Sequence, residues 1–187
     1  KTNVMKMTGE KSAGDDIMKS ERGERMFRIG QPSDIHRLTE GRRLVLGGVD
    51  IAHEKGLLGH SDADALVHAV AEAVLGALGL GDLGRHFPDT DPRFEGVSSL
   101  TLLSQTAQMM RQGGYRIGNV DALIMIERPK MAPYIAQMKN NLAQALDCDP
   151  QQINVKATRG EGLGFVGREE GVLAQAVVLL EKTEEQG

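Results

Sequence analysis

Asp34-Ile35-His36 sets a carboxylate and an imidazole two positions apart, and in an extended chain residues i and i+2 point to the same side. His68 offers a second imidazole. Two nitrogens and one oxygen make three protein ligands with a fourth position left for a substrate oxygen, the pattern of a catalytic rather than a structural zinc. His68 also sits in unusual company. From Ala65 to Leu78 nearly every side chain is apolar or alanine, and a helix that is apolar all round is normally buried. Its polar exceptions, Asp64, His68 and Glu72, recur every four residues and so stack on one face. Burying such a row is costly unless something pairs with it, and one cation can pair with two carboxylates and an imidazole together. The plain alternative is a solvated edge or a histidine satisfied inside the core.

A second set of groups gathers later in the chain. Glu161 supplies a carboxylate suited to a hard cation, and Thr158 a hydroxyl suited to phosphate. Gly162-Leu163-Gly164-Phe165-Val166-Gly167 spells the dinucleotide-binding fingerprint, but that fingerprint must open a helix inside a βαβ unit with an acid about 20 residues further on. Only 20 residues follow Gly167. The stretch reads instead as a loop whose glycines let backbone amides and Arg168 approach phosphate, or as a plain turn between strands. Arg128-Pro129-Lys130 follows an apolar strand, where a charged turn is either solvated rim or the ligand side of an α/β sheet.

The elements that must carry these groups follow from period and punctuation. Met26 to Gly30 is a short extended run, interrupted by Pro32 before Asp34-Ile35-His36. Gly47-Gly48 between Leu44-Val45-Leu46 and Val49-Asp50-Ile51 signals a hairpin. Ser61, three residues before Asp64, forms a capping-box-like start for the apolar helix, which stops at the glycines of 79–81. Asp82-Leu83-Gly84 and Phe87 to Pro92 read as loop. A second helix starts at Ser98 or Ser99 with Leu100, Leu103, Ala107 and Met110 on one face, and a third runs from about Pro133 to Leu146. Strands are expected from Gly118 to Ile126, central in the sheet, from Ile153 to Ala157, and from Val172 to Leu180. Helices and strands interleave, so the class is α/β, one domain with a mixed β-sheet and helices packed on one face.

With 187 residues the chain can bury roughly 70% of its unfolded surface in one core. Residues 1–25 carry no apolar period and read as a flexible extension, so the folded domain is expected over residues 26–187. A net charge of -4 and 3% aromatic residues point away from nucleic acid and from membrane surfaces. No stretch has the length and hydropathy of a membrane span or a signal peptide. The single Cys148 suits a reducing compartment.

Arg28-Ile29-Gly30, Asp34-Ile35-His36, Glu54 to Asp62, Phe87-Pro88-Asp89-Thr90-Asp91-Pro92, Arg128-Pro129-Lys130 and Leu163-Gly164-Phe165 occur in an order and spacing that resemble the 2-C-methyl-D-erythritol 2,4-cyclodiphosphate synthase family of the non-mevalonate isoprenoid pathway. The resemblance runs from about Met26 to Lys182. It implies a homotrimer with its sheets around a central prism and three active sites between subunits. It also implies a lyase-type reaction that converts 4-diphosphocytidyl-2-C-methyl-D-erythritol 2-phosphate into the cyclic diphosphate and CMP, in the bacterial cytoplasm rather than the plastid stroma. By position, Asp34, His36 and His68 would bind zinc, Asp34 and His36 also meeting substrate, and Glu161 would share Mg²⁺ or Mn²⁺ with the diphosphate. His60 and Ser61 would lie on the active-site loop, His60 with a catalytic part. Asp82, Leu83 and Gly84 would meet the erythritol, with Phe87, Asp89 and Asp91 reaching from the same side. Lys130, Met131, Ala157 and Thr158 would frame the cytidine diphosphate, and Phe165 and Arg168 would stand near the phosphates and the trimer axis, where an isoprenoid diphosphate could be held.

Three positions depart from the family pattern. Gln31-Pro32-Ser33 replaces a His-Gly-Phe type of sequence near the axis, and Glu72 stands where Asp is commoner. Arg159 replaces the threonine that would stabilise the transition state, and its guanidinium could serve the same phosphoryl oxygens. Two other functions compete with the cyclase: a non-catalytic trimeric binder of isoprenoid diphosphates and a general metal-dependent phosphohydrolase. The set Asp34, His36, His68 and Glu161 favours an enzyme, and the segment Arg128 to Met131 favours a cytidyl substrate.

Overall fold

Strand β8 (Gly171–Lys182) is the element on which the sheet is assembled. One edge of it takes β1 (Phe27–Gly30) and β2 (Ser33–Glu40) in turn, and the other takes β6 (Tyr115–Met125), all antiparallel. The computed structural model describes residues 26–183, so the extension expected over residues 1–25 lies outside the described residues. β5 (Lys55–Leu57) continues the sheet beyond β2, and β7 (Ile153–Thr158) closes the other side, parallel to β6. The spatial order is β5-β2-β8-β6-β7, a mixed sheet. β6 is interior, as its two apolar faces predict. It begins three residues earlier than its sequence suggests, at Tyr115, with a register shift between Ile117 and Asn119 that leaves Gly118 unpaired.

Helix α1 (Ala65–Leu78) packs on β8, β1 and β2, and ten of its fourteen residues are buried. Each buried Val or Leu removes enough apolar area from water to contribute about 1.5–3 kcal/mol. The approach to β1 is close, because a methyl group on Gly30 would overlap the Ala73 carbonyl. Gly79 ends the helix in a left-handed turn (φ 72°), its N–H reaching the carbonyls of Leu75 and Gly76. Helix α3 (Ser99–Gln112) lies against α1, and α4 (Ile135–Leu146) against α3 and β7, so the helices cover one face. The inward residues of α3 shift slightly from the expected set, with Leu102, Leu103, Ala107 and Met110 buried, and α4 buries Met138, Leu142, Ala143 and Leu146.

The hairpin forms as expected. β3 (Leu44–Leu46) and β4 (Val49–Ile51) pair around Gly47 and Gly48, both at positive φ (59° and 69°). Two expected loops contain a single helical turn. Asp82 accepts from Arg85 N–H and starts α2 (Leu83–His86), while Gly164–Gly167 form α5 before β8. A short polar cap starts the first only, and a four-residue turn is too brief to leave a hydrophobic period in the sequence. A 3₁₀ turn, Pro92–Phe94, is likewise capped by Asp91. Among the described residues no helix is long and apolar enough to cross a membrane.

Candidate active site and metal centre

Asp34 and His36 alternate with Ile35 along β2, so both face α1 while Ile35 points to the opposite face. His68, one turn into α1, meets them. His36 Nδ1 and His68 Nδ1 lie 3.2 and 3.3 Å from the same oxygen, Asp34 Oδ2, and the two rings are 5.2 Å apart. These three side chains form one of the groups able to hold an ion among the described residues. Asp34 Oδ2 and His36 Nδ1 are shut off from solvent and make no hydrogen bond of proper geometry. Two buried polar atoms left unpaired are costly to a fold, and a divalent ion between them would remove the cost. The donor set, two imidazoles and one carboxylate, is borderline-soft and suits zinc.

The charges are arranged to match. Burial by itself would raise the Asp34 carboxyl, but the His36 and His68 imidazoles outweigh it and hold the group at about 2. Burial would lower His68, yet Asp34, with Asp64 and Asp62 behind it, raises its affinity for a proton. Glu72, at the far end of the α1 stripe, is half-buried, and burial, Asp34 and Asp82 all push its carboxyl up.

Asp64 takes a different role from the one its spacing suggests. It is completely buried, and its oxygens accept the N–H groups of Gly47 (2.9 Å), Gly48 (2.6 Å) and Val67 (3.1 Å). It is therefore the helix cap and a clasp on the β3–β4 hairpin, and it is not one of the ion-facing groups. Burial pushes its carboxyl up to about 6 against the pull of those amides. Ser61, the expected cap, turns away: its Oγ accepts from Ala63 N–H and lies 3.1 Å from His68 Nε2. Ala63, between Asp62 and Asp64, is held at φ 58° in a completely buried turn, which costs about 1–3 kcal/mol and sends the two flanking carboxylates in different directions.

Sequence reasoning missed Ser99 and Asp62 as parts of this site. Ser99, at the first turn of α3, is completely buried with its Oγ 2.8 Å from His68 Nε2, and Asp62 binds both its N–H and its hydroxyl. The only sequence signal was the serine pair at a helix start, which reads equally well as a cap.

The remaining expected residues fall into two places. His60 is exposed, its Nε2 3.4 Å from the Asp91 carbonyl, beside a cavity of about 520 Å³ lined by Arg42, His60, Ser61 and Asp62. Asp82, Gly84 and Asp89 are exposed, Leu83 and Asp91 half-buried. Phe87 is buried edge-on against Phe94 at 5.4 Å. The other place is the end of β6 and β7, where Lys130, Met131, Ala157, Thr158 and Arg159 border a cavity of about 330 Å³. Beside it Glu127 accepts from Gly160 N–H at 2.9 Å, holding the turn that carries Glu161. Here the charged groups are paired with each other: Arg159 with Glu161 at 3.1 Å and Arg168 with Glu170 at 3.0 Å. Arg128 bridges Glu169 at 2.7 Å and Glu54 at 3.1 Å. Those two glutamates and His53 form a second group of metal-type ligands, but the Arg128 guanidinium already pairs with both carboxylates. Phe165 is half-buried in α5.

The two places are not adjacent within the chain. Ile35 pairs with Leu173, Leu173 with Met125, and Met125 with Thr158, so three strand spacings, about 14 Å, separate the β2 and β7 rows.

Residues 27–181 match the YgbB family profile. The chain is 59% identical over 159 residues to 2-C-methyl-D-erythritol 2,4-cyclodiphosphate synthase of Geobacillus thermodenitrificans, covering 85% of this chain and 99% of the relative. To the synthase of Shouchella clausii it is 58% identical, covering 85% of this chain and all of the relative. Among solved structures, the fold is similar to the bifunctional IspDF from Campylobacter jejuni, with a TM-score of 0.81 and 41% identity, over 84% of this chain and 43% of that one. It is also similar to IspF of Plasmodium falciparum in a CDP complex, with a TM-score of 0.76 and 32% identity, over 87% of this chain and all of that one.

Proposed function

The chain belongs to the YgbB family of 2-C-methyl-D-erythritol 2,4-cyclodiphosphate synthases, and from that premise we propose how its own residues divide the work. The family's reaction is the cyclisation of 4-diphosphocytidyl-2-C-methyl-D-erythritol 2-phosphate. The observation that carries the reading is the buried cradle of Asp34, His36 and His68, with its two unpaired atoms turned towards one another. These residues hold a zinc ion, and Glu161, whose carboxylate is largely exposed, holds Mg²⁺ or Mn²⁺ together with the substrate diphosphate. When bound, the cations supply concentrated positive charge for phosphoryl oxygens.

The reaction makes a bond from a 2-phosphate oxygen to the β-phosphorus and breaks the β-phosphorus bond to the oxygen that leaves with CMP. It is an intramolecular phosphoryl transfer of the lyase class. The nucleophile belongs to the substrate, so the protein's part is to hold its two ends in line and spread the charge. Lys130, Met131, Ala157 and Thr158 frame the cytidine diphosphate in the 330 Å³ cavity. Asp82, Leu83, Gly84, Phe87, Asp89 and Asp91 face the erythritol, and His60 and Ser61 close the loop over it. Arg159 leaves Glu161, freeing the carboxylate that would hold the cation, and turns its guanidinium to the phosphoryl oxygens. The exchange is cheap, because exposed ion pairs contribute about 0–1 kcal/mol. Phe165 and Arg168 line the phosphate side.

The active unit is a homotrimer with sites between subunits. Two observations support it. The metal cradle and the nucleotide cavity sit on strands about 14 Å apart in one chain, so a neighbouring copy can bring its cavity to this cradle. The sheet face away from the helices also exposes Phe27, Ile29, Ile35 and Val177 by 52, 68, 57 and 43%, an apolar patch that three copies would bury around an axis. An isoprenoid diphosphate would fit that axis with its chain among these side chains. The enzyme works in the cytoplasm, where its single half-buried Cys148, pushed up to about 11 by burial, stays a thiol.

Incubation with the cytidyl substrate, Zn²⁺ and Mg²⁺ tests the reading: CMP and the cyclic diphosphate should appear together in equal amounts. CMP with a linear product would make the chain a phosphohydrolase. No turnover, with retained isoprenoid diphosphate binding, would make it a binder.

A further inference from the structure

Ser99 and Asp62 connect α3 to the imidazole of His68 from the side away from Asp34 and His36. Ser99 Oγ is 2.8 Å from His68 Nε2, and Ser61 Oγ is 3.1 Å from the same nitrogen and 3.4 Å from Ser99 Oγ. Asp62 grips Ser99 twice, accepting its N–H at 3.1 Å on Oδ2 and its hydroxyl on Oδ1. Ser99 is completely buried, so bulk water does not offer its hydroxyl an alternative partner, while Ser61 is 8% exposed at the edge of the 520 Å³ cavity.

The Asp62 carboxylate sets the direction of the donors. Asp62 is an acceptor only, so the Ser99 hydroxyl proton must lie between Ser99 Oγ and Asp62 Oδ1. Ser99 Oγ then presents a lone pair to His68, and His68 Nε2 must carry the ring proton to pair with it. A bare Nε2 would either turn its lone pair on the Ser99 oxygen at 2.8 Å or take the Ser99 proton and leave two oxygens in close contact without a hydrogen, and a proton from Ser61 at 3.1 Å would relieve neither conflict. With the proton on Nε2, the neutral ring has its lone pair on Nδ1, the atom that lies 3.3 Å from Asp34 Oδ2.

We propose that Asp62 and Ser99 are positioning residues that lock His68 in its Nε2–H tautomer, so that Nδ1 faces the cradle as a ready metal donor. The relay spans three elements: the turn before α1 holds Asp62, α1 holds His68 and α3 holds Ser99. It therefore also fixes the ring's rotation about its Cβ–Cγ bond, and a ligand with a fixed tautomer and orientation loses little on binding an ion. The proposal rests on the reading of Asp34, His36 and His68 as metal ligands, but the tautomer can be read without a metal.

Two measurements on the full chain test it, with Ser99→Ala and Asp62→Ala as independent variants. In metal-free protein labelled with ¹⁵N-histidine at alkaline pH, the His68 nitrogen shifts should show the Nε2–H form in the parent and a mixture of tautomers in both variants. In competition with a chromogenic chelator, both variants should bind Zn²⁺ about 10- to 100-fold more weakly than the parent. A folded Ser99→Ala protein that keeps the pure Nε2–H tautomer overturns the proposal, whatever its zinc affinity. So does unchanged affinity in both variants. A parent that shows the locked tautomer but binds no Zn²⁺ would instead sink the metal reading and leave the relay standing.

Discussion

The two halves of the candidate site are built in opposite ways. Around β2 and α1 the side chains are largely buried, each is held by neighbours from a different element, and the atoms left without a protein partner, Asp34 Oδ2 and His36 Nδ1, point into the cradle. At the ends of β6 and β7 the charged groups are exposed and paired with residues close by, as in Arg159 with Glu161 and Arg168 with Glu170. The first half is organised before anything binds, since its geometry is set by core packing and a hydrogen-bond relay. The second can exchange partners, because surface pairs separated by one residue contribute little and let go easily. A reaction that moves a phosphoryl group within one flexible substrate needs both: a fixed charge to aim at and a rim that yields to an incoming diphosphate.

Removing a cradle ligand should have the largest effect. His68→Ala takes away one of three protein donors, so zinc should be lost and kcat should fall by about 10²- to 10³-fold or more. Native mass spectrometry reads the first and a CMP assay the second, and full zinc occupancy in the variant would erase the contrast between the halves. On the rim, Arg159→Ala should lower kcat by about 10²-fold while zinc occupancy stays complete, as expected for one donor aimed at developing charge. A variant as fast as the parent would return Arg159 to the solvated surface.

The buried half also holds two carboxylates whose pH effects have opposite signs. In the metal-free protein Asp34 is held at about 2 against 3.8, so it contributes about 2 kcal/mol above pH 4 that is lost as pH falls through 2. Asp64 is raised to about 6 from 3.8. Its folded form binds the proton more tightly, so stability is greatest below pH 4 and falls by about 3 kcal/mol as pH rises through 6. Urea unfolding between pH 2 and 7 should show the Asp64 slope disappear in Asp64→Asn and the acid loss disappear in Asp34→Asn. Identical profiles for parent and variants would mean that neither carboxylate is coupled to folding.

The smallest effect expected is that of salt. Raising ionic strength from 0.05 to about 0.5 M screens the exposed rim and should raise KM a few-fold while leaving zinc affinity nearly unchanged. Equal sensitivity of both would remove the distinction drawn between buried and exposed charge.

Much of this organisation is written in local pattern. The hairpin follows from Gly47-Gly48, the buried helix from the largely apolar run after Asp64, and the shared side of Asp34 and His36 from their spacing of two. Each depends only on neighbours within one turn or one pleat, so the chain determines it before anything is packed. The assignment of partners is a different matter. Asp64, His68 and Glu72 occupy one helical stripe, yet Asp64 is consumed by the amides of a hairpin 16 and 17 residues earlier. His68 alone of the three joins the cradle, and Glu72 stays at its solvent edge. Ser99, 31 residues beyond His68, and Asp62 enter the site only because α3 packs across α1. Helical spacing states which side chains share a face; what meets that face is decided by the tertiary structure, because hydrogen-bond partners are set by distance in space and the sequence records only distance along the chain.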